Sequence, residues 1–281
     1  YRLKEERPDV FSAVTAALHL PQYLSYVLTS ALHTDITSIG CHTNLWDFTR
    51  HDYHRWVTEE KIGEKFPAIK DCTAQAGTTK EGIPVGTGLH DSSAALIPYL
   101  ASFTEPFVLL STGTWCITLN PFNPQPLTIP ELKSDCLCYL TYKGKPVKAS
   151  RLFAGNEHEQ QVKRLAAHFG KEVDYYKTVK ADPLLLKKYN VDYEAVKQVN
   201  TETLPTVSVF GERELADFAS YEEAYHLLIA DLMVLQVQSS WLVMKDTAVS
   251  KVFVDGGFSK NPIYMQLLSA AFPDMEVYAA T

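Results

Sequence analysis

The chain has 281 residues with 46% apolar and 21% charged side chains, the values of a foldable globular protein with material for one large or two medium cores. Its formal net charge of −7, from 26 Lys and Arg against 33 Asp and Glu, argues against a protein that grips nucleic acid through a broad basic face. The five cysteines, Cys41, Cys72, Cys116, Cys136 and Cys138, are scattered with a single C-x-C pair, which fits free thiols in a reducing cytoplasm and lacks a zinc-ligand spacing.

Residues 8–20 predict a first helix: Pro8 suits an opening turn, and Val10, Phe11, Val14, Ala17 and Leu18 recur at helical spacing. Pro21 interrupts, and a second helix follows over 22–28 with Tyr23, Leu24, Val27 and Leu28 as its apolar side. Residues 34–47, with Thr34, Asp35, Thr37, Ser38, Thr43 and Asn44, read either as a solvated loop or as the lining of a hydroxyl-rich ligand site. Trp46, Phe48, Tyr53 and Trp56 are aromatic core anchors, and residues 70–82 read as a surface connection. A β-prone piece then reaches Leu89 and a helix starts near Ser92, which puts Asp91 at a strand-to-helix junction. Two readings of Asp91 stay open: an N-cap with no further role, or a reactive carboxylate held at a strand end.

Residues 107–120 read as strand, tight turn, strand. Phe107 to Leu110 is apolar, Ser111-Thr112-Gly113-Thr114 is a hydroxyl-rich tip, and Trp115, Ile117 and Leu119 resume the apolar pattern. Small residues at such a tip let backbone N–H groups approach a phosphate, although ordinary turns have the same composition. Four prolines make 120–130 irregular, two strands flank Lys143-Gly144, and Ala154-Gly155-Asn156-Glu157-His158-Glu159 leads into a helix through Phe169. The charged stretch 171–203 reads as a solvated helical insertion. The longest helix is Tyr221–Met244, with Leu228, Leu232, Leu235, Ser239 and Leu242 three and four apart and one face set to lie on a sheet.

Strand 251–254, the turn Asp255-Gly256-Gly257-Phe258-Ser259-Lys260-Asn261-Pro262, helix 263–272 and strand 275–279 form a parallel crossover unit. Its paired glycines permit a nucleotide to lie on the backbone at a helix N-terminus, and left-handed turn geometry explains them equally well. Neither a G-x-x-x-x-G-K-[ST] loop nor a G-x-G-x-x-G fingerprint occurs, which weighs against a dinucleotide-dependent enzyme. No run reaches the ~18 apolar residues of a membrane span, and Tyr1 to Pro8 has no signal-peptide pattern.

Gly88-Leu89-His90-Asp91-Ser92-Ser93-Ala94-Ala95, Leu110-Ser111-Thr112-Gly113-Thr114-Trp115 and Asp255-Gly256-Gly257-Phe258-Ser259-Lys260-Asn261 together resemble, in order, three segments of the FGGY carbohydrate kinases, of the actin, hexokinase and Hsp70-like ATPase superfamily. Trp115 directly after the tip looks most like the rhamnulokinase and fuculokinase branch, which phosphorylates deoxy-ketoses. The resemblance implies an α/β, two-lobed ribonuclease H-like (actin-like ATPase) fold. Residues 1–103 would be the remainder of a sugar-binding lobe and 104–281 an ATP-binding lobe.

Carried over, the resemblance makes Asp91 the general base, with His90 beside it at the sugar. Ser111, Thr112, Gly113 and Thr114 become a phosphate-binding hairpin, and Gly256, Gly257, Ser259 and Asn261 the adenosine pocket. Its cofactors would be ATP and Mg²⁺. The partners it implies are a small sugar and ATP, without nucleic acid or membrane, in the cytoplasm, with a homodimer left open. The family's first phosphate loop, an Asp-x-Gly-Thr hairpin that helps hold Mg²⁺, and its final helices have no counterpart here. The expectation is therefore an incomplete chain, its N-terminal lobe partial, that no residue here equips with a metal site and that does not itself turn over. A catalytically silent sugar- or nucleotide-binding protein of the same fold is the alternative.

Overall fold

The computed structural model describes residues 1–41, 43–199 and 203–280. They group into two compact units, one of residues 1–102 and 138–147, the other of 103–137 and 148–281.

In the first unit the helix expected over 8–20 runs only from Pro8 to Ala13, and Val14 is extended. Tertiary bonds override the helical pattern there: Ala17 N–H donates to Lys65 O at 2.7 Å, and the Lys65 ammonium to Val14 O at 2.8 Å. Pro21 does not interrupt but sits in the first turn of the next helix, Leu20–Thr29, where its missing N–H costs nothing. That helix also faces the other way from its apolar pattern. Gln22 and Ser25 are buried, donating to the carbonyls of Gly88 at 3.0 Å and Gly86 at 2.7 Å, while Tyr23, Leu24, Val27 and Leu28 are exposed.

Of the segment 34–47, in which residue 42 lies outside the described residues, the opening part 34–39 is not a solvated loop. Thr34–Asp35 pairs in parallel with Ile69–Lys70, and the Asp35 carboxylate caps the short helix Ile36–Ile39 by accepting from Thr37 N–H and Ser38 N–H. Thr34, Asp35, Thr37 and Ser38 are all buried. Burial raises the Asp35 carboxyl above its ordinary range, with the Thr37 and Ser38 donors acting against it. Ile39, Leu45, Val57 and Ile62 form a small core edged by Phe11, Trp46, Tyr53, Trp56 and Phe66. The expected surface connection contains strand Gln75–Thr78, paired antiparallel with Pro84–Gly86.

The second unit holds β1 (Phe107–Thr112), β2 (Cys116–Asn120), α1 (Ala154–Phe169), α2 (Tyr221–Met244), β5 (Lys251–Gly256), α3 (Pro262–Ala271) and β6 (Glu276–Ala279), with the start of β3 (Cys136–Leu140) and most of β4 (Pro146–Leu152), whose residues 138–140 and 146–147 fall in the first unit. The sheet order is β6-β5-β1-β2-β4-β3, with β5 parallel to both β6 and β1 and with β1/β2 and β2/β4 antiparallel. β5, α3 and β6 make the expected crossover. β1 is buried from Phe107 to Leu110 because neighbours cover both faces.

Helix α2 is buried on nearly every side rather than on one face, and Gln236 Nε2 donates to Ser240 Oγ one turn on at 2.9 Å. By length and apolarity it could cross a membrane, yet two thirds of its apolar window is packed in the core of this unit. The stretch 171–203 is not a solvated insertion either. Val179 and Tyr193 are buried, and Tyr175, Tyr176, Leu186, Tyr189 and Val196 pack on the same core. Residues 200–202 of that stretch lie outside the described residues.

Candidate functional site: a cavity between the hairpin tip and the glycine turn

Register places the two glycine-bearing segments side by side. Thr112 at the end of β1 pairs with Gly256 at the end of β5 and with Cys116 of β2, so the tip Gly113-Thr114-Trp115 and the turn from Gly257 leave the sheet at neighbouring positions. The tip closes by Gly113 N–H donating to Trp115 O at 2.9 Å, and Asn156 N–H at the start of α1 donates to Thr114 O at 3.2 Å. Gly155 lies against the tip so closely that a Cβ there would stand 1.8 Å from Gly113 O.

Thr112 is a clamp rather than an open hydroxyl. It is buried, its Oγ1 donates to Asp255 O at 2.5 Å and accepts Phe258 N–H at 3.0 Å, which ties tip to turn and leaves only its backbone for a ligand. Ser259 acts similarly within the turn, donating to Gly256 O at 2.8 Å. Gly256 adopts φ 88°, and Gly257 has open space where a Cβ would project.

Asn261 caps α3: its Oδ1 accepts from Ile263 N–H at 3.0 Å and Tyr264 N–H at 3.2 Å. Its Nδ2 donates to the Tyr225 hydroxyl at 2.8 Å, and that hydroxyl lies 3.0 Å from His158 Nε2. Burial pushes the His158 imidazole down to about 4, so it is neutral at physiological pH. Burial also raises the Tyr225 phenol.

These elements enclose a cavity of about 470 Å³. Thr112, Gly113, Gly257 and Asn261, all named from the sequence, line it. Gly155, His158, Tyr176, Lys177, Phe258 and Lys260 line it as well and were not anticipated, although Ala154-Gly155 after a strand is itself a strand-to-helix glycine signal. Thr114 lines an adjoining cavity of about 570 Å³ that shares Gly113, Gly155, His158, Tyr176 and Lys177. Ser111 is half-buried in the ladder opposite Asp255 and Ile117, and lines neither. The site thus combines close backbone approach, two lysines and an aromatic wall, the features that hold a phosphorylated planar ligand.

Residues 104–281 match the family described as carbohydrate kinase FGGY, C-terminal domain. The chain belongs to the FGGY carbohydrate kinases. Solved FGGY structures share its actin-like ATPase fold. A carbohydrate kinase from Novosphingobium aromaticivorans superposes with TM-score 0.74 at 24% identity, over 100% of this chain and 61% of that one. A ligand-bound xylulose kinase from Lactobacillus acidophilus gives 0.70 at 16% identity, over 99% and 58%. Plasmodium falciparum glycerol kinase with ADP gives 0.65 at 16% identity, over 95% and 56%. This FGGY chain therefore spans about three fifths of the length of those structures. No curated protein sequence matches it.

The two remaining residues of interest, His90 and Asp91, belong to the first unit. Asp91 is not the N-cap; it opens the helix Asp91–Ala95 at its first position, and His90 precedes it as the cap residue. The Asp91 side chain is 91% exposed, with Oδ1 accepting Ser92 N–H at 2.6 Å. His90 N–H donates to Thr37 Oγ1 at 3.0 Å, its Nε2 lies 3.3 Å from Cys41 Sγ, and its Nδ1 approaches Asp91 Oδ1 at 3.1 Å without the alignment of a hydrogen bond. Burial lowers the His90 imidazole against the opposing pull of Asp91 and Asp35. Among the described residues, no group of three or more His, Cys, Asp or Glu converges as a metal site would require.

Proposed function

We propose that the parent protein is an ATP-dependent kinase that phosphorylates a ketose hydroxyl, a deoxy-ketose such as L-rhamnulose or L-fuculose. Residues 1–103 serve as the remainder of the sugar-binding lobe and residues 104–281 as the ATP-binding lobe. The observation that carries this reading is the single cavity into which Thr112, Gly113, Gly155, Gly257 and Asn261 converge. At Gly257 the space a side chain would fill is open, and that is where the backbone can approach a nucleotide.

In this reading the nucleoside lies along Gly257, Phe258 and Asn261, with Gly256 and Ser259 shaping the turn beneath it. The phosphates lie towards Gly113 and Thr114, where the missing side chain of Gly113 permits close approach and the Thr114 hydroxyl supplies a donor, and Ser111 holds the tip on the sheet. Asp91 accepts the proton of the attacking sugar hydroxyl, an aligning role that phosphoryl transfer requires more than covalent chemistry. His90 flanks it at the sugar. Mg²⁺ bound with the nucleotide would neutralise charge on the β- and γ-phosphates. Among the described residues no group of three or more His, Cys, Asp or Glu converges to hold it.

The substrate assignment rests on Trp115 following the tip, as in the rhamnulokinase and fuculokinase branch. A coupled assay of the full-length parent with L-rhamnulose, L-fuculose, D-xylulose and glycerol tests it. The highest kcat/KM is expected with a deoxy-ketose. A preference for D-xylulose or glycerol would overturn the substrate, and nucleotide binding without turnover on any sugar would favour a silent binding protein.

A further inference from the structure

We propose that the outward face of the helix Leu20–Thr29 is an internal docking surface of the parent protein, covered by the part of the parent chain that precedes Tyr1; this rests on the reading of residues 1–103 as the remainder of a lobe. Leu20, Tyr23, Leu24, Val27 and Leu28 recur three and four apart and form one apolar stripe along the helix. Each is at least half exposed, Leu20 to 70%, and Leu32, just past the cap residue Ser30, is exposed as well. Single exposed leucines are ordinary on a protein surface. A continuous stripe of large apolar side chains marks a face that another body covers.

The helix does not hide this stripe by rolling over, because its other face is fixed. Gln22 Nε2 donates to Gly88 O at 3.0 Å and Ser25 Oγ to Gly86 O at 2.7 Å. The backbones stand so close there that a Cβ on Gly88 would lie 2.8 Å from Pro21 O, and one on Gly77 2.8 Å from Thr29 Cβ. Nor does a lipid surface fit the stripe. Helices that lie on membranes carry basic residues on their polar face, whereas none of the ten residues of this helix is charged and its polar face is spent on Gly86 and Gly88. Apolar chain of the same lobe does fit. The match covers 61% and 58% of the solved carbohydrate kinase and xylulose kinase, so about two fifths of each lies outside it. The core around Ile39, Leu45, Val57 and Ile62 is small for a lobe that stands alone. The second unit carries the chain to its last residue, so the segment within reach of this helix is the one before Tyr1.

Photo-leucine incorporated in place of leucine in the full-length parent tests this, with crosslinks mapped by peptide mass spectrometry. Crosslinks from Leu20, Leu24 or Leu28 are expected to reach residues that precede Tyr1, in a product of monomer size. Val27→Cys in the same parent should react with a maleimide about 100-fold more slowly than the reference Leu184→Cys, whose native side chain is 76% exposed, and at the reference rate once urea unfolds the protein. The crosslinking arm needs no substitution and holds where a cysteine variant fails to fold. Labelling of Val27→Cys at the reference rate in the native parent would overturn the proposal. Crosslinks in a dimer-sized product, which would make the occupant a second copy, or crosslinks from the stripe to residues 104–281 would overturn it too, and each of these results leaves the kinase reading standing. A parent chain that starts at Tyr1 would overturn the proposal together with the lobe reading. Both expected results in a parent that phosphorylates no sugar would support the proposal and overturn the kinase reading alone.

Discussion

The carbonyl oxygen of Thr112 stands 1.9 Å from the ideal Cβ position of Gly256. β1 and β5 therefore close on one another at their ends in a way that only a glycine at 256 permits, and the positive φ of 88° adds a second reason. The same contact lets Thr112 Oγ1 bridge to Asp255 O and Phe258 N–H, which ties the tip to the turn.

Gly256→Ala meets both a backbone clash and a strained φ, and should destabilise the second unit by about 3 kcal/mol or more. Gly257→Ala, one residue on, meets nothing within 4 Å and should leave stability within about 0.5 kcal/mol while weakening nucleotide binding. Urea denaturation of the two variants checks the contrast. Equal stability losses would show that the close approach does not exist.

Lys148 and Glu131 form an ion pair at 2.7 Å with side chains only 5% and 6% exposed. Burial alone would raise the Glu131 carboxyl; the Lys148 ammonium and the Thr128 donors outweigh it and hold the group below its ordinary range. The stability this supplies is present above the ordinary glutamate value of 4.5 and is lost as pH falls through the lower folded value. Lys148→Met strands the buried carboxylate and should cost about 3–5 kcal/mol, whereas the double variant with Glu131→Met should recover most of it. Chemical denaturation of the single and double variants measures the difference.

His158 gives a pH dependence on a different interval. Its folded value is about 4 against 6.5 for the free side chain, so between those limits the unfolded chain holds a proton that the folded chain does not. Stability therefore falls as pH drops from 6.5 towards 4, by up to about 3 kcal/mol. His158→Gln keeps an acceptor for Tyr225 and does not titrate, so denaturation midpoints followed from pH 7 to 4.5 should lose about one proton's worth of slope. An unchanged slope would mean the imidazole is not buried as described.

The elements that local pattern determines were legible in the sequence. The 107–120 hairpin, α1 with its end at Phe169, α2 and the β5–α3–β6 crossover all follow from apolar period, glycine turns and capping residues. What escaped depends on contacts distant in the chain. Helix Leu20–Thr29 turns Gln22 and Ser25 inward because carbonyls 61 and 66 residues away need donors, which no helical periodicity records. The hydroxyls of Thr112 and Ser259 look like phosphate ligands in a motif, yet the structure spends them on Asp255 O and Gly256 O. His158 meets Tyr225, 67 positions on, and the Phe258 ring of the turn, contacts distant in the chain that carry no local signal of its role.

The most direct test of the kinase reading is the rate of sugar-dependent ADP formation by the full-length parent carrying Asp91→Asn, measured beside its affinity for ADP. Loss of the exposed Asp91 carboxylate should lower the rate by about 10²–10⁴-fold and leave ADP affinity unchanged. A variant that phosphorylates sugar at the parent's rate would contradict the assignment of Asp91 as the base, and with it the proposed mechanism.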